Sequence, residues 1–255
     1  VLQDFGEIGY ETNVRILNAV HYGVPQIRKR AIFIGNRLRV ENPFPKETHY
    51  DPLSRTRGSE EDVSGRKPYL AVFDAISDLP RLAPDEGKDE TEYPPVSQLT
   101  PYQQWTREGS TRLYNHVARK HSARDRRLFR MLKPGQKMID LPKRLIPYRY
   151  DIFPDKIRKQ RWDRPSTAIL AHMQKDCLMY IHPDRKQARS FTAREAARLQ
   201  SFRDTYRFLG PMTQQFKQIG NAVPPLVAQA VARTIKRFLE PLVVPVIRYE
   251  KALIH

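Results

Sequence analysis

Residues 218–225 read Gln-Ile-Gly-Asn-Ala-Val-Pro-Pro, a short turn that stands directly before a long apolar stripe. Gly and Asn tolerate turn conformations that other residues resist, and Pro225 suits the first turn of a helix. Turn and stripe together predict a tight bend, with Gly220 in the unusual φ region, that leads into a closing helix. The stripe recurs at helical spacing and comprises Leu226, Val227, Ala230, Val231, Ile235, Phe238 and Leu239.

A second ordered segment precedes this turn and reads Phe-Thr-Ala-Arg-Glu-Ala-Ala-Arg-Leu-Gln-Ser-Phe over residues 191–202. Thr192 and Glu195 fit the capping box, in which each side chain bonds the backbone N–H of the other residue. Arg194 and Arg198 stand four residues apart, which places them on one helix face. Because capping accounts for Glu195, we expect this helix to be structural rather than catalytic.

A third segment, residues 22–30, reads Tyr-Gly-Val-Pro-Gln-Ile-Arg-Lys-Arg and leads into a predicted buried strand at 31–35. Side chains alternate along an extended chain, so Gln26, Arg28 and Arg30 are predicted to share one face. That face would present an amide and two guanidinium forks to a phosphate or to a base edge. Taken alone, the same pentad is also typical of a solubilising basic turn.

The chain carries a large and uneven positive charge. Its 255 residues include 45 Lys and Arg against 28 Asp and Glu, which gives a net charge of +17 and a sequence pI of about 10.1. Residues 105–165 hold 18 of the basic residues and six acidic ones, whereas residues 85–92 hold five acidic residues and one Lys.

Aromatic side chains are interleaved with this basic stretch. Cations neutralise phosphates and flat rings stack on bases, so the combination predicts a nucleic-acid partner rather than an ordinary solvated face. The aromatic residues are Trp105, Tyr114, Phe129, Tyr148, Tyr150, Phe153 and Trp162. The basic residues predicted to contact DNA are Arg119, Lys120, Arg124, Arg126 and Arg127.

Cys177 is the single cysteine, which excludes an internal disulfide and a Cys-rich zinc site and favours a reducing cytoplasm. Its neighbour Asp176 would raise the pKa of the thiol, so we do not expect a nucleophile here. His172 and His182 lack metal-ligand spacing with it, and we predict no metal. No apolar run approaches the roughly 20 residues that span a membrane, so no membrane partner is expected.

The composition and the hydrophobic pattern along the chain predict three parts. Residues 1–38 alternate helix, strand, loop and strand. Residues 39–187 are rich in Pro and lack a long amphipathic period, although 69–79 and 124–132 suit short helices. Residues 188–255 return to ordered helices. The prediction is an α/β fold: an incomplete doubly wound core, with an irregular domain of mostly β and loop structure inserted at 39–187.

These three segments, in this order, resemble the closing motifs of DNA cytosine-C5 methyltransferases of the bacterial restriction-modification type. The pentad resembles the family's Gln-x-Arg-x-Arg motif, and the 192–200 helix resembles the one that joins the Rossmann-like core to the target-recognition domain. Residues 162–168 resemble the run where that domain returns to the core. The family's Gly-rich cofactor loop, Pro-Cys-Gln nucleophile and Glu-Asn-Val motif all precede such segments, so the chain resembles a carboxy-terminal half.

The resemblance implies an enzyme that flips a cytosine out of duplex DNA and transfers a methyl group from S-adenosylmethionine to its C5 atom. It implies that Arg28 contacts the DNA backbone and that Arg30 holds the flipped cytosine and the catalytic glutamate, with Gln26 as an auxiliary. It also implies that Asn221, Ala222 and Val223 contact the cofactor, which the amino-terminal half would mostly bind.

The expected partners are double-stranded DNA and an amino-terminal half that carries the Pro-Cys-Gln and Glu-Asn-Val motifs; the chain alone is predicted to be inactive. Apolar residues at positions 1, 2, 5 and 8 follow helical spacing without an N-cap, so we expect the chain to begin inside an element. Either it was cut there or a second polypeptide supplies what comes earlier. The alternative is a catalytically inactive, sequence-specific DNA-binding remnant.

Overall fold

The computed structural model describes residues 1–38, 40–53, 63–149 and 155–252, and of 242–252 the backbone only. Short 3-10 turns lie at Ala19–Tyr22, Met138–Asp140, Lys143–Leu145, Ala171–Gln174 and Leu178–Tyr180. In chain order the main elements are α1 (Leu2–Glu7), β1 (Glu11–Asn18), β2 (Lys29–Asn36), β3 (His49–Tyr50), β4 (Lys67–Pro68), α2 (Val72–Ile76), β5 (Gly87–Thr91), α3 (Pro101–Arg107), β6 (Leu113–Val117), α4 (Ala123–Met131), α5 (Ala193–Leu199), α6 (Met212–Asn221) and α7 (Pro225–Ala252).

The strands of the described ranges pair two by two. β1 and β2 form an antiparallel hairpin, β5 and β6 form a second antiparallel pair, and β3 and β4 form a short parallel pair. The α/β class is therefore confirmed, while the doubly wound core stays a prediction. Over the same ranges, no helix combines the length and the apolar character needed to cross a lipid bilayer.

Local sequence signals placed the helices well. α1, α2 and α4 occupy the segments whose spacing predicted them, and α7 begins at Pro225 as expected. The capping box of α5 is present: the Thr192 hydroxyl accepts a hydrogen bond from the Glu195 N–H at 3.1 Å, and the Glu195 carboxylate accepts one from the Thr192 N–H at 2.7 Å. Two orphan donors at the helix start are thereby satisfied.

The two faces of the β1–β2 hairpin differ sharply. On the inner face, Leu17 and Ile32 pack with the first turns of α7, where Val227 is buried. On the outer face, Val14 lies opposite Phe33 in the next strand, and Ile16 lies beside them. These three apolar side chains, Val14, Phe33 and Ile16, are 40%, 45% and 71% exposed, respectively. The hairpin therefore carries one packed and one open apolar face.

The main core joins parts of the chain that are far apart in sequence. It contains buried residues of α2, α3 and β6 together with residues of 169–180, α5 and α6. A smaller core surrounds α4, where Leu128 and Phe129 are fully buried. The predicted boundary between residues 187 and 188 thus runs through the main core, and the two ranges on either side of it fold against each other.

α5 is buried along its whole length, although it carries three charged side chains. The Arg198 guanidinium donates to Asp78 at 2.5 Å and to both carboxylate oxygens of Asp204 at 3.0 and 2.5 Å. Glu195 receives two bonds of 2.7 Å from Arg189, outside the helix. Pairing offsets part of the cost of burying a charge, and these ion pairs give the core a polar centre at α5.

Two neutral imidazoles flank this centre. The His116 ring bridges the Thr192 hydroxyl at 3.0 Å and the Pro80 carbonyl at 2.9 Å, and His182 lies 3.5 Å from a Glu195 oxygen. Burial lowers the pKa of His116 to about 4 and that of His182 to about 3. Both rings are uncharged at neutral pH, because the core offers no water to solvate an imidazolium.

Acidification should therefore destabilise the chain before its carboxylates titrate. The unfolded chain, with an ordinary His pKa of about 6.5, binds more protons than the folded chain as the pH falls below that value. Each buried imidazole then removes up to about 1.4 kcal/mol of unfolding free energy per pH unit. Urea unfolding between pH 7 and pH 5 measures this slope. His116→Gln should flatten it, and His172→Gln, at an exposed position, should not. Equal slopes in all three proteins would contradict the assignment.

Candidate functional site

Gly220 lies inside α6, where its backbone is helical. The predicted positive φ at this residue is therefore wrong. Instead, a Cβ atom on Gly220 would stand 2.1 Å from the Ala171 nitrogen and 2.3 Å from the Leu170 carbonyl carbon. Such distances are closer than any real side chain permits. The glycine allows the end of α6 to rest directly on the backbone of the 170–171 segment.

Residues Asn221–Pro224, called here the closing loop, comprise the last residue of α6 and the three residues that connect it to α7. Asn221 is exposed, Val223 is 51% exposed and Ala222 is half-buried, so the three predicted cofactor contacts stand at an accessible surface. The carbonyl oxygens of Gly220 and Ala222 instead accept hydrogen bonds from the interior. The loop thus offers a carboxamide and an isopropyl group to a ligand, which fits one wall of a cofactor site.

Arg28 does not stand where a phosphate contact requires it. Its side chain is 3% exposed, and its guanidinium donates to the carbonyls of Gly220 at 2.7 Å, Ala222 at 3.3 Å and Ile169 at 2.5 Å. Burial, together with the nearby charge of Arg30, lowers its pKa to about 10, so it remains a cation. This geometry contradicts the expected contact of Arg28 with the DNA backbone, because all described partners of its guanidinium lie inside the protein.

Gln26 and Gln200 form a buried amide chain beside Arg28. Gln26 donates to the Gln200 side chain at 2.8 Å and accepts from the Ile169 N–H at 2.7 Å, and Gln200 donates to the Ile219 carbonyl at 2.8 Å. The role of Gln200 was missed in the sequence, although it is the residue that directly follows the α5 helix and caps its end. Hydrogen bonds of Arg28, and of Gln26 through Gln200, therefore connect residues 26–28 to the end of α6 and the closing loop.

Arg30 differs from the other two polar residues of its motif. It is exposed, and its guanidinium donates to the neighbouring Lys29 carbonyl at 2.7 Å. Gln26 and Arg28 are buried whereas Arg30 is exposed, and the expectation that the three share one face stays a prediction. The role implied for Arg30 at the flipped base stays a prediction, and its exposure leaves the guanidinium accessible.

The basic stretch divides into internal and surface residues. Arg119 is half-buried, donates to the carbonyls of Met173 at 3.1 Å and Gln174 at 3.2 Å and lies over the Phe216 ring, and its DNA contact stays a prediction. Arg126 is half-buried. Lys120, Arg124 and Arg127 are exposed, as a DNA contact requires. The aromatic residues Tyr150 and Phe153 lie outside the described residues.

A cleft of about 410 Å³ opens beside α4. Three accessible arginines line it, with Met131, Leu145 and Ile146 as its apolar floor. The arginines are Arg124, Arg127 and Arg144; Arg144 was not predicted, because only the fold brings the turn at 143–145 beside the helix. Within the described ranges no carboxylate forms an ion pair with them, so the cleft presents positive charge to solvent.

The acidic stretch neutralises other arginines. It becomes β5 and its flanks, where Glu90 and Glu92 pair with Arg112 at 3.3 and 3.1 Å, and Asp89 pairs with Arg207 at 2.9 Å. Cys177 is 6% exposed, and burial raises the pKa of its thiol, which agrees with its interpretation as a structural residue.

Among the residues that the structure describes, no cluster of three or more His, Cys, Asp or Glu side chains could hold a metal ion.

Comparison with known proteins identifies the family. Residues 1–237 match the model of C-5 cytosine-specific DNA methylases. The chain belongs to this family. Among curated methylases, it is 36% identical to the type II methyltransferase M.Bpa9945I of Bacillus paralicheniformis, 36% identical to M.DdeI of Desulfomicrobium norvegicum and 33% identical to M.AgeI of Thalassovita gelatinovora. The matches cover 92%, 94% and 90% of the chain but only 55%, 58% and 66% of these relatives.

A solved methylase structure resembles the fold. It belongs to a prophage-encoded E. coli protein assigned as a DNA modification methyltransferase, with a TM-score of 0.62 and 19% identity. The match covers 93% of this chain and 64% of that one. At such low identity the likeness shows the fold alone. The methylase family is therefore established by sequence, and the spatial arrangement by structure.

The close approach at Gly220 gives a sharp test of the closing-loop geometry. Gly220→Ala would force α6 away from the 170–171 backbone, which should cost about 1 to 3 kcal/mol of unfolding free energy or more. Gly6→Ala is the matched control, because its added Cβ meets nothing within 4 Å and it lies in the exposed helix α1. That variant should gain about 0.5 to 1 kcal/mol. Urea denaturation of both variants checks the pair; an unchanged Gly220→Ala would refute the contact.

Proposed function

We propose that this chain provides the DNA-recognition surface and one wall of the methyl-donor site of a DNA cytosine-5 methyltransferase. Residues 39–187 would form the target-recognition part, and residues 1–38 and 188–255 would belong to the catalytic core. Family membership supports the reaction class, the arginine-lined cleft supports DNA recognition, and the open side of the closing loop supports a contact with S-adenosylmethionine.

The observation that carries the proposal is the open outer face of the β1–β2 hairpin. Val14, Ile16 and Phe33 leave an apolar strand surface in solvent, although the solvated face of an antiparallel pair is usually polar. We propose that the remainder of a methylase covers this face. It would carry the Pro-Cys-Gln and Glu-Asn-Val motifs, on a second polypeptide or in another part of the same protein. Arg30 stands at the start of β2 on the face opposite to Phe33, so the covering segment would have to reach past the end of the hairpin to bring those motifs beside it.

The division of chemistry follows from what this chain contains. Methyl transfer to cytosine C5 needs a thiolate that adds to C6, and Cys177 is buried with a raised pKa. The nucleophile would therefore come from the covering segment, and S-adenosylmethionine would supply the methyl group. Arg30 would hold the flipped base, which must leave the duplex before it can react. The surface of α4 would hold the duplex through its phosphates.

DNA binding by the chain should depend steeply on salt. Counterion release gives the logarithm of affinity a slope of about −0.9 against the logarithm of salt concentration for each phosphate neutralised. Replacing Arg124, Arg127 and Arg144 with Ala should flatten the slope by about 0.9 for each phosphate that the variant no longer neutralises. Fluorescence anisotropy on a labelled duplex, titrated at several salt concentrations, measures it.

A second triple variant controls for net charge. Arg112, Arg203 and Arg207 already pair with carboxylates, Arg203 with Glu108 at 2.6 Å. Replacing these three with Ala removes the same charge from another surface, and the slope should remain close to that of the unmodified chain. Equal flattening by both triple variants would remove the α4 cleft from the DNA interface.

Mixing the chain with a methylase segment that bears the missing motifs should restore cytosine methylation. In that complex Arg30→Ala should reduce turnover by about 10²-fold or more, because the proposed partners of Arg30 are the reacting base and the catalytic glutamate. Duplex affinity should change little. Lys29→Ala is the matched control, an exposed cation at the adjacent position, and should leave turnover nearly unchanged. Labelled S-adenosylmethionine and cytosine-containing duplex DNA provide the assay.

Assembly needs its own control. Ile16→Glu should prevent association with the added segment, because it places a charge in the centre of the proposed interface, while Leu209→Glu, at an equally exposed apolar residue, should not. Both variants should fold alone. If no segment of this kind associated with the chain or restored methylation, the alternative of a DNA-binding remnant would replace the proposal.

A further inference from the structure

Arg28 is a buried cation whose described partners are all neutral. Arg189, Arg194 and Arg198 are also buried, but each of them reaches a carboxylate. Arg28 reaches only the three carbonyl oxygens named above, and its Nε atom is buried without a hydrogen-bond partner in the described structure. An apolar side chain of similar size would fill this volume without the cost of desolvating a charge. Packing alone therefore does not explain the arginine.

The position of the three acceptors does explain it. α6 ends at Asn221, and its last carbonyls have no partners within the helix. A cation at a helix C-terminus is favoured by the helix dipole and can bond several of these oxygens at once. The fork of Arg28 holds Gly220 and Ala222 together and fixes both to Ile169, which lies in the segment under α6. Gln200 adds a bond to the Ile219 carbonyl.

We propose that Arg28 and Gln200 are positioning residues for the closing loop. They turn the carbonyls of residues 219, 220 and 222 inward, and as a consequence the side chains of Asn221 and Val223 face outward. The benefit of this arrangement to the methyl donor rests on the proposed function, in which that outer side contacts S-adenosylmethionine. Since Arg28 stands two residues before Arg30, the same short segment would then support both the donor wall and the base-holding arginine.

Hydrogen exchange on the complete chain tests the positioning directly. In Arg28→Met, amides in peptides spanning 219–226 should exchange about ten-fold faster or more, because the loop opens locally without global unfolding. Peptides from α4 should keep their protection. Arg28→Lys should give an intermediate rate, since an ammonium can bond one or two of the carbonyls but not span all three. Gln200→Met is the second variant, available if Arg28→Met fails to fold, and should accelerate the same peptides.

Arg119→Met is the matched control. It also removes an arginine that bonds two backbone carbonyls, but those carbonyls belong to residues 173 and 174. Exchange in 219–226 should remain slow in this variant. Unchanged exchange of the loop in both Arg28→Met and Gln200→Met would overturn the inference, and so would equal acceleration by Arg119→Met.

The assembled enzyme separates this inference from the proposed function. If both hold, Arg28→Met should raise the Michaelis constant for S-adenosylmethionine about ten-fold with a smaller effect on turnover, and Arg28→Lys should partly restore it. A faster loop with an unchanged Michaelis constant would uphold the positioning role and refute the contact between loop and donor. An unchanged loop would refute the positioning role whatever the kinetics.

Discussion

The bonds of Arg198 set the arrangement on which the other elements depend. Its guanidinium joins Asp78, just after α2, to Asp204, just after α5, and it also donates to the Ala75 carbonyl at 3.0 Å. Removing one partner would leave an uncompensated charge in the core, which typically costs about 3 to 5 kcal/mol. A shift of α2 against α5 would separate Asp78 from Arg198 and would therefore also leave a buried charge without its partner. The ion pairs thus select one relative position for the two helices.

That position is transmitted to the closing loop at the end of α5. Ser201 adopts a φ of 65°, in the left-handed region that side chains other than Gly seldom occupy. Its hydroxyl accepts a hydrogen bond from the Leu226 N–H at 3.1 Å, in the first turn of α7. With Gln200 bonded to α6 on the other side, two consecutive residues hold both ends of the loop. The backbone strain at Ser201 is compatible with a junction fixed from several directions.

Local signals were readable in the sequence, and tertiary ones were not. The capping box at Thr192 and the proline start of α7 depend on neighbouring residues, so their patterns predicted the structure correctly. Gly220 was misinterpreted because its reason, the close backbone at Ala171, lies 49 positions away in the sequence. Arg28 is assigned to DNA by the resemblance to the methylase family, and Arg119 is assigned to it because charge in a basic stretch normally indicates solvent. Only the fold shows that carbonyl oxygens from distant segments converge on their guanidinium groups.

The acidic strand β5 neutralises part of the positive surface of the molecule. Its carboxylates pair with Arg112 and Arg207, while Arg124, Arg127 and Arg144 form no ion pair with any carboxylate that the structure describes. The net charge of +17 is therefore distributed unevenly over the surface. A polyanion approaching from a distance would exert a torque on such a body and rotate it before contact. The arginine cluster would already face the duplex at first contact, so a larger fraction of collisions would lead to binding.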